Sequence, residues 1–288
     1  MSNKDYYSKQ WSSRNPGHLL FLVDQSYSMR EAYGEDGSKA EFTANVLNRT
    51  IQEAVNMCQD GESLKNRLKI SVIGYGGKGG DSVEVMCDDF ISGYANNPLR
   101  IKKTRQKIVD GDLRLTEIEV NQPVFFEPKA KGSTAMGLAF QTALQLIEGF
   151  RSEYPDSPVP MLINVSDGAP WSHERKFQER DLAYAMAQKI MSITTPDGNP
   201  LIFNAHIGSG YPRYVCPSDA SVLNGRQENF LYSISSEIPE RLMSVARKFD
   251  LILEEHARGF VSNASPDVFI NFINFGSSIG LTRDRMSA

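Results

Sequence analysis

Short apolar runs separated by helix-like patterns constrain the fold of this chain more than any other feature. The first run, residues 19–23, is continuously apolar, which is typical of a strand buried on both faces of a parallel sheet. Further strands are predicted at 68–75, 159–165 and 201–207, where apolar residues predominate. Because strands joined by helices require right-handed crossovers, we expect an α/β fold. The expected sheet is doubly wound and mostly parallel, with helices on both faces and one antiparallel edge strand.

Local signals indicate where several of the helices begin. Ser38, followed three residues later by Glu41, forms a capping-box pattern. Ser265 and Pro266 are a favourable start for the last helix. Apolar spacing predicts a further helix over 172–193, whereas residues 208–236 show no such spacing and are predicted to be a loop.

The segment 76–131 differs from the rest of the chain. It begins rich in glycine, becomes charged and then alternates polar and apolar residues. Asp110-Gly111 predicts a hairpin turn, and the alternation predicts a half-exposed antiparallel strand. We interpret the segment as an elaboration at one sheet edge and a candidate docking element. The whole chain, 1–288, is expected to be a single domain with residues 1–17 as an N-terminal extension.

Composition excludes several classes of protein. The 288 residues are 40% hydrophobic and 23% charged, with a net charge of -4, which is an ordinary globular composition. The negative charge disfavours bulk binding of nucleic acid. A basic stretch at 100–107 keeps nucleic-acid association as an alternative, although an aggregation-resistant edge strand explains it more economically.

Cysteine content and hydropathy bear on the compartment. Three widely spaced cysteines form neither a disulfide framework nor a zinc motif. No apolar run approaches the roughly 20 residues of a membrane span, and residues 1–15 lack an apolar signal core. We therefore expect a cytoplasmic protein without a membrane partner.

Three predicted loops carry oxygen-bearing side chains near the ends of core strands. Parallel strands place such ends at one edge of the sheet, where ligands bind in open α/β folds. Hydroxyl and carboxylate oxygens suit a hard divalent cation, of which Mg²⁺ fits best and Mn²⁺ or Ca²⁺ are alternatives. The side chains are Asp24, Ser26 and Ser28 after the first strand, Ser133 and Thr134 before a helix, and Ser166 and Asp167 after the strand at 159–165.

The order D-x-S-x-S, then threonine, then aspartate resembles the metal-ion-dependent adhesion site of von Willebrand factor A domains, and the resemblance covers residues 19–275. In that family the hydroxyls bind the metal, and the aspartates act largely through water or hydrogen bonds. The metal keeps an open position that a partner's acidic side chain completes. The matching residues here are Asp24, Ser26, Ser28, Thr134 and Asp167.

The resemblance implies a non-catalytic, metal-dependent protein-interaction module. Tyr27, which stands where many members have a small residue, Ser133, Gly168 and His173 are expected to contact the partner. Stand-alone members resemble components of bacterial stress or tellurium-resistance systems. The expected partners are therefore kinase, phosphatase or AAA+ ATPase components.

Two other interpretations of the same residues stay open. Asp24 at a strand end could be the nucleophile of a metal-dependent phosphotransfer enzyme. Such enzymes usually add a second carboxylate and a lysine, and we expect no lysine near the strand end at 166–167. Alternatively, the serines and aspartates are ordinary loop and capping residues.

Overall fold

The computed structural model describes residues 6–34, 37–109, 115–208 and 210–280, with the backbone alone for 104–109, 115, 116 and 118. The strands of this described part are β1 (Gly17–Asp24), β2 (Gln59–Asp60), β3 (Ser63–Leu64), β4 (Leu68–Tyr75), β5 (Val83–Phe90), β6 (Arg100–Val109), β7 (Leu115–Val124), β8 (Met161–Ser166), β9 (Leu201–His206), β10 (Tyr214–Val215) and β11 (Phe260–Ser262). The helices are α1 (Lys39–Met57), α2 (Ile91–Asn96), α3 (Met136–Glu153), α4 (Gln178–Ser192), α5 (Arg226–Ser233), α6 (Glu240–Ala246) and α7 (Pro266–Ser278).

The central sheet has seven strands in the order β10-β11-β9-β8-β1-β4-β5. Strand β1 is parallel to both β4 and β8, and β9 is parallel to β8 and β11. The predicted α/β class is therefore confirmed. Antiparallel pairs occur at both edges, β4–β5 and β10–β11, rather than at the one edge that was predicted. The second pair was missed because a strand of two residues is too short to show a periodic pattern.

Alternate residues of the central strands supply two separate hydrophobic cores. Leu19, Phe21 and Val23 pack with α1 and α7 on one face, whereas Leu20 and Leu22 pack with α3 and α4 on the other. Every residue of β1 is buried, as expected for a strand covered by helices on both sides.

The helix signals were correct at α1 and at α7, which begins at Pro266 with Ser265 as its N-cap, and incomplete elsewhere. Ser38 and Glu41 form the predicted capping box. The helix predicted over 172–193 begins only at Gln178, because residues 172–177 form a turn closed by hydrogen bonds between Ser172 and Lys176. The predicted loop 208–236 contains α5, whose apolar residues 230–232 are consecutive and therefore gave no helical period.

The segment 76–131 forms more than an edge strand. Its β6 and β7 pair over ten residues each as the predicted hairpin, in a separate two-stranded sheet. The predicted turn at Asp110-Gly111 lies outside the described residues. Strand β5, rather than the hairpin, occupies the edge of the central sheet. The end of the hairpin is held against α1 by Asn48, which accepts a hydrogen bond from the Phe125 amide at 2.8 Å and donates one to the Phe126 carbonyl at 3.0 Å.

None of the helices in the described part of the chain is long and apolar enough to cross a bilayer.

Candidate functional site

The candidate site lies where the strand order reverses. From β1 the chain first builds outward through β4 and β5, and then returns to build through β8, β9 and β11 on the other side. Such a switch point leaves a crevice at the carboxyl ends of the strands, which is where ligands bind in open α/β sheets. Strand β1 ends at Asp24 and its neighbour β8 ends at Ser166. The two predicted aspartate loops therefore meet at this crevice.

The third loop is joined to the first by backbone hydrogen bonds. Ser26 and Gly132 form a parallel bridge, and the Tyr27 amide donates to the Gly132 carbonyl at 2.8 Å. The Lys131 amide donates to the Gln25 carbonyl at 2.9 Å. These contacts carry the residues before α3 to the end of β1. Thr134 consequently lines the same open cleft as Ser26 and Ser28.

Asp24 is almost fully enclosed, with 1% of its surface exposed. Its Oδ1 accepts a hydrogen bond from the Ser26 amide at 2.8 Å, and its Oδ2 accepts one from Ser166 Oγ at 2.6 Å. Burial and the nearby Asp167 carboxylate raise the pKa of Asp24 to about 7, because both disfavour its charged form. A cation at this position would relieve that repulsion.

Hydroxyl groups connect the two aspartates. Ser26 Oγ lies 3.2 Å from Ser28 Oγ, and Ser28 Oγ donates to Asp167 Oδ1 at 2.7 Å. Together with the hydrogen bond from the Ser26 amide to Asp24, these contacts join residues of two strand ends that are distant in sequence. The structure therefore brings Asp24, Ser26, Ser28 and Asp167 together and places Thr134 on the wall of the same cleft.

The donor set fits a small hard cation. Mg²⁺ binds oxygen at about 2.0–2.1 Å in octahedral geometry, so neighbouring ligand oxygens lie about 2.9 Å apart. The distance of 3.2 Å between the hydroxyl oxygens of Ser26 and Ser28 is close to this value. Over the described ranges, no group of three or more His, Cys, Asp or Glu side chains could hold a metal. Any ion at this site therefore depends on the hydroxyls, with only two carboxylates to balance it.

A lysine lies at the end of β8, contrary to the sequence-based expectation. Lys39 Nζ lies 2.8 Å from Asp167 Oδ2 and 2.5 Å from Glu31 Oε2. Lys39 is the first residue of α1 and precedes Asp167 by 128 positions. Proximity in sequence could not reveal this pair, because it depends on how the start of α1 packs against β8.

The four residues expected to contact a partner lie in different surroundings. Tyr27 is 63% exposed, and the guanidinium of Arg30 lies over its ring at 4.4 Å. His173 is also exposed, and Gly168 is partly exposed. Ser133 is 6% exposed, and its hydroxyl donates hydrogen bonds inside the protein. Tyr27 and His173 are therefore the more accessible of these side chains, and both line the cleft.

Asp81 organises the site although the sequence analysis did not identify it. Its Oδ1 accepts hydrogen bonds from Ser133 Oγ at 2.5 Å and from the His173 amide at 2.7 Å. Its Oδ2 accepts one from the Glu174 amide at 2.9 Å. One carboxylate thus ties together the loops before α3 and after β8. The only signal in the sequence was its position at the end of a glycine-rich run.

Trp171 was also missed, and it lines the cleft beside His173. It is 36% exposed, and its ring lies 4.8 Å from that of His173. Its amide donates to the Thr134 carbonyl at 3.0 Å, which fixes its backbone beside the candidate ligand. An isolated tryptophan in a loop carries no pattern by which the sequence alone could assign it to a cleft.

Comparison with known proteins supports the fold. No family model and no curated protein matches the chain. Among solved structures, the pilus adhesin SpaC from Lactobacillus rhamnosus GG matches with a TM-score of 0.50 and 10% identity, over 95% of this chain and 31% of SpaC. The vWF domain of the pilus tip protein Mfa5 from Porphyromonas gingivalis matches with a TM-score of 0.48 and 11% identity, over 95% of this chain and 98% of that domain.

A third match is weaker, and none of the three matches supports more than a similarity of fold. The PilB minor pilin from Streptococcus sanguinis has a TM-score of 0.40 and 7% identity, over 69% of this chain and 51% of PilB. This chain therefore spans about a third of SpaC and about half of PilB. Likeness at such identities concerns the fold alone, which is a mixed α/β fold with a seven-stranded central sheet.

Proposed function

We propose that this chain is a metal-dependent protein-interaction module. In this proposal a divalent cation, Mg²⁺ or else Mn²⁺ or Ca²⁺, occupies the cleft and an acidic side chain of a partner completes its coordination. The observation that carries the proposal is the series of contacts from Asp24 through Ser26 and Ser28 to Asp167 at the switch point of the sheet. The hydroxyls of Ser26, Ser28 and Thr134 would hold the ion, and the two carboxylates would act through water or hydrogen bonds.

The charge of the donor set favours an acidic partner. Three neutral hydroxyls leave much of the charge of a divalent ion uncancelled, and Lys39 offsets one of the two carboxylates. When bound, the ion therefore supplies a positive charge at an open corner of the cleft. A carboxylate from a partner gains more from this charge than water does. Tyr27, Trp171 and His173 around the cleft offer further contact surface.

Metal binding is tested by titrating Mn²⁺ into the protein and following the signal of the free ion by electron paramagnetic resonance. Thr134→Val removes one hydroxyl ligand at nearly constant volume. Thr142→Val is the matched control, because Thr142 lies in α3 and its hydroxyl donates to the Leu138 carbonyl of the same helix. We expect one site per chain in the wild type and the control, and at least about tenfold weaker binding in Thr134→Val. Absence of binding in the wild type, or equal binding by Thr134→Val, would overturn the proposal.

Capture of a carboxylate is tested with acetate as the probe. Under conditions in which nearly all Mn²⁺ is bound to the protein, the paramagnetic ion broadens the methyl resonance of any acetate that coordinates it. We expect saturable broadening well above that produced by the residual free Mn²⁺, which is measured at the same free concentration in buffer. Broadening no greater than that of the residual free ion would contradict the proposed open coordination position.

Phosphotransfer through Asp24 is the second candidate, and the proximity of Lys39 to Asp167 favours it more than the sequence did. The burial of Asp24 and the two hydrogen bonds to its oxygens favour the interaction module instead, because a nucleophile must reach its substrate. Incubation with acetyl phosphate and Mg²⁺, followed by intact-mass measurement, separates the two. The module predicts no added phosphoryl group, whereas the enzyme predicts one that is lost in Asp24→Asn.

Nucleic-acid association through residues 100–107 is weakened by local pairing of charge. Arg100 bonds to Glu127 at 2.6 Å, and Lys103 lies 3.4 Å from Glu119. These carboxylates reduce the positive charge available to phosphates. A mobility-shift assay at low salt, with no shift expected, tests this alternative.

Two settings fit an interaction module of this kind. The sequence resemblance favours a cytoplasmic stress or defence system with kinase, phosphatase or AAA+ partners. The solved structures of similar fold belong to pilus proteins, and they favour adhesion outside the cell. Fractionation of the native host with an antibody to this chain decides between these settings, since recovery with the cytoplasm supports the first and recovery with the cell surface supports the second.

A further inference from the structure

A buried ammonium group lies beside the proposed metal site. Lys39 is 8% exposed, and a lysine buried to this extent almost always has a partner for its charge. Its Nζ bonds to Asp167 Oδ2 at 2.8 Å and to Glu31 Oε2 at 2.5 Å. The other oxygen of Asp167 accepts from Ser28 Oγ at 2.7 Å. Asp167 is therefore bonded on one side to a proposed metal ligand and on the other side to a fixed positive charge.

The surroundings of Lys39 keep it charged. Burial by itself would lower the pKa of Lys39, but the hydrogen bonds and charges of Asp167 and Glu31 outweigh burial and raise it. The two carboxylates are unequal in exposure, with 1% of the Asp167 side chain and 67% of the Glu31 side chain accessible. Because solvent screens the exposed pair more strongly, the interaction with Asp167 is the stronger of the two.

We propose that Lys39 is an internal counter-cation that weakens binding of the divalent ion and strengthens capture of an acidic ligand by the ion. This inference rests on the proposed function, because it concerns how the same site distributes charge between metal and partner. Lys39 acts through Asp167 and through its field, so it is a positioning and specificity-determining residue rather than a ligand.

The charges at the site give Lys39 this role. Asp24 and Asp167 together match the charge of a divalent ion, so without Lys39 the occupied site would be close to neutral. Lys39 adds a positive charge, which the exposed and solvent-screened Glu31 offsets only in part, so the occupied site keeps a positive excess. A like charge this close opposes entry of the ion, and the same excess charge attracts an incoming carboxylate. Lys39 therefore lowers the affinity of the site for the divalent ion and raises the affinity of the bound ion for a carboxylate.

A purely structural role for Lys39 makes a different prediction. If the pair with Asp167 only ties α1 to the end of β8, its loss would lower stability and loosen the site. Binding of both metal and acetate would then weaken together. The proposed role instead requires opposite changes in the two affinities, which a loosened site does not produce.

The test uses Lys39→Met, which retains a long unbranched side chain and removes the charge. Lys69→Met is the matched control, because Lys69 forms a comparable 2.9 Å ion pair with Asp88 on β4 and β5, away from the site. We expect Mn²⁺ to bind about tenfold more tightly to Lys39→Met. We also expect acetate to bind several-fold more weakly to the Mn²⁺-loaded variant, and Lys69→Met to match the wild type in both measurements.

Glu31→Gln provides an independent measurement with the opposite sign for metal binding. It removes an exposed negative charge from the partner of Lys39, so we expect Mn²⁺ binding about twofold weaker, a small effect because solvent screens Glu31. If Lys39→Met fails to fold, this variant decides the question. Weaker Mn²⁺ binding together with tighter acetate binding supports the proposal, and any other combination overturns it.

The outcomes separate this inference from the proposed function. If the wild type binds Mn²⁺ and Thr134→Val does not, but Lys39→Met binds as the wild type does or loses both affinities together, the role of Lys39 is overturned and the interaction module stands. If neither the wild type nor Lys39→Met binds Mn²⁺, both proposals fail.

Discussion

The carboxyl ends of β1 and β8 and the β6–β7 hairpin show how differently two parts of one chain use polar residues. At the strand ends, Asp24 and Asp167 are buried. Asp24 accepts a hydrogen bond from Ser166, which precedes Asp167, and Asp167 accepts one from Ser28 in the loop after Asp24. In the hairpin, charged side chains such as Arg100 and Lys103 are exposed and pair with nearby carboxylates. Burial without full charge balance is what makes the first region a candidate binding site.

The largest expected difference between the regions is in stability. Phe21 in β1 is fully buried, so Phe21→Ala should lower the free energy of unfolding by about 3–5 kcal/mol. Ile101 in the hairpin is 53% exposed, and Ile101→Ala should change it by less than about 0.5 kcal/mol. Urea unfolding followed by circular dichroism measures both. Similar losses in the two variants would mean that the hairpin is part of the core.

The attachment of the hairpin to α1 should depend on Asn48. Asn48→Ala leaves the Phe125 amide and the Phe126 carbonyl without their partner in a buried position, so we expect a loss of about 2–3 kcal/mol in unfolding free energy. Asn56→Ala, at an exposed position of the same helix, is the matched control and should not destabilise the protein. If both variants unfold at the same urea concentration, Asn48 does not anchor the hairpin.

Asp81 should affect the loops of the site more than the rest of the fold. Asp81→Ala removes the acceptor of Ser133 Oγ and of the His173 and Glu174 amides, with an expected cost of about 1–2 kcal/mol. Hydrogen exchange followed by mass spectrometry should show faster exchange in the peptide that contains His173 and Glu174. Unchanged exchange in that peptide would show that Asp81 does not hold the loop after β8.

The smallest expected effect is a dependence on pH at the opposite end of β1. His18 is buried against Phe150 and contacts Ser71 Oγ at 2.8 Å, and burial lowers the pKa of His18 from 6.5 to about 3. The unfolded chain therefore binds a proton below about pH 6.5 that the folded chain does not, and stability should fall as the pH is lowered from that value towards about 3. Between pH 7.5 and 5.5 the contribution is on the order of 1 kcal/mol.

Replacement of His18 tests this assignment. His18→Gln should flatten the pH dependence of the unfolding free energy in this range. His256→Gln is the control, because the hydrogen bond to Glu237 raises the pKa of the exposed His256, and its loss should steepen the slope slightly rather than flatten it. A slope retained in His18→Gln would assign the pH dependence to other groups.

The sequence predicted the central strands well because their burial on both faces leaves a predominance of apolar residues. The runs at 19–23 and 68–75 lie within β1 and β4, and the capping box at Ser38 is present. Parallel pairing then brings the loops after β1 and β8 to one edge whatever the details of packing. This is why residues as distant in sequence as Ser28 and Asp167 could be predicted to meet.

What the sequence did not predict depends on contacts between distant elements or on segments too short for a pattern. Lys39 and Asp81 reach the site through packing and loop conformation, and neither has a characteristic spacing from the D-x-S-x-S motif. Strand β10 has two residues, and the apolar residues of α5 are consecutive. Such features can be recognised only in the tertiary structure, because no local periodicity or motif in the sequence indicates them.

The most direct test of the central claim is the location of a bound cation. Crystals of the protein soaked in Mn²⁺ should give an anomalous difference peak in the cleft, about 2.2 Å from the hydroxyl oxygens of Ser26, Ser28 and Thr134. A peak elsewhere on the protein, or none at this position when the cleft is free of lattice contacts, would contradict the claim that three loops of the sheet edge together form a metal site.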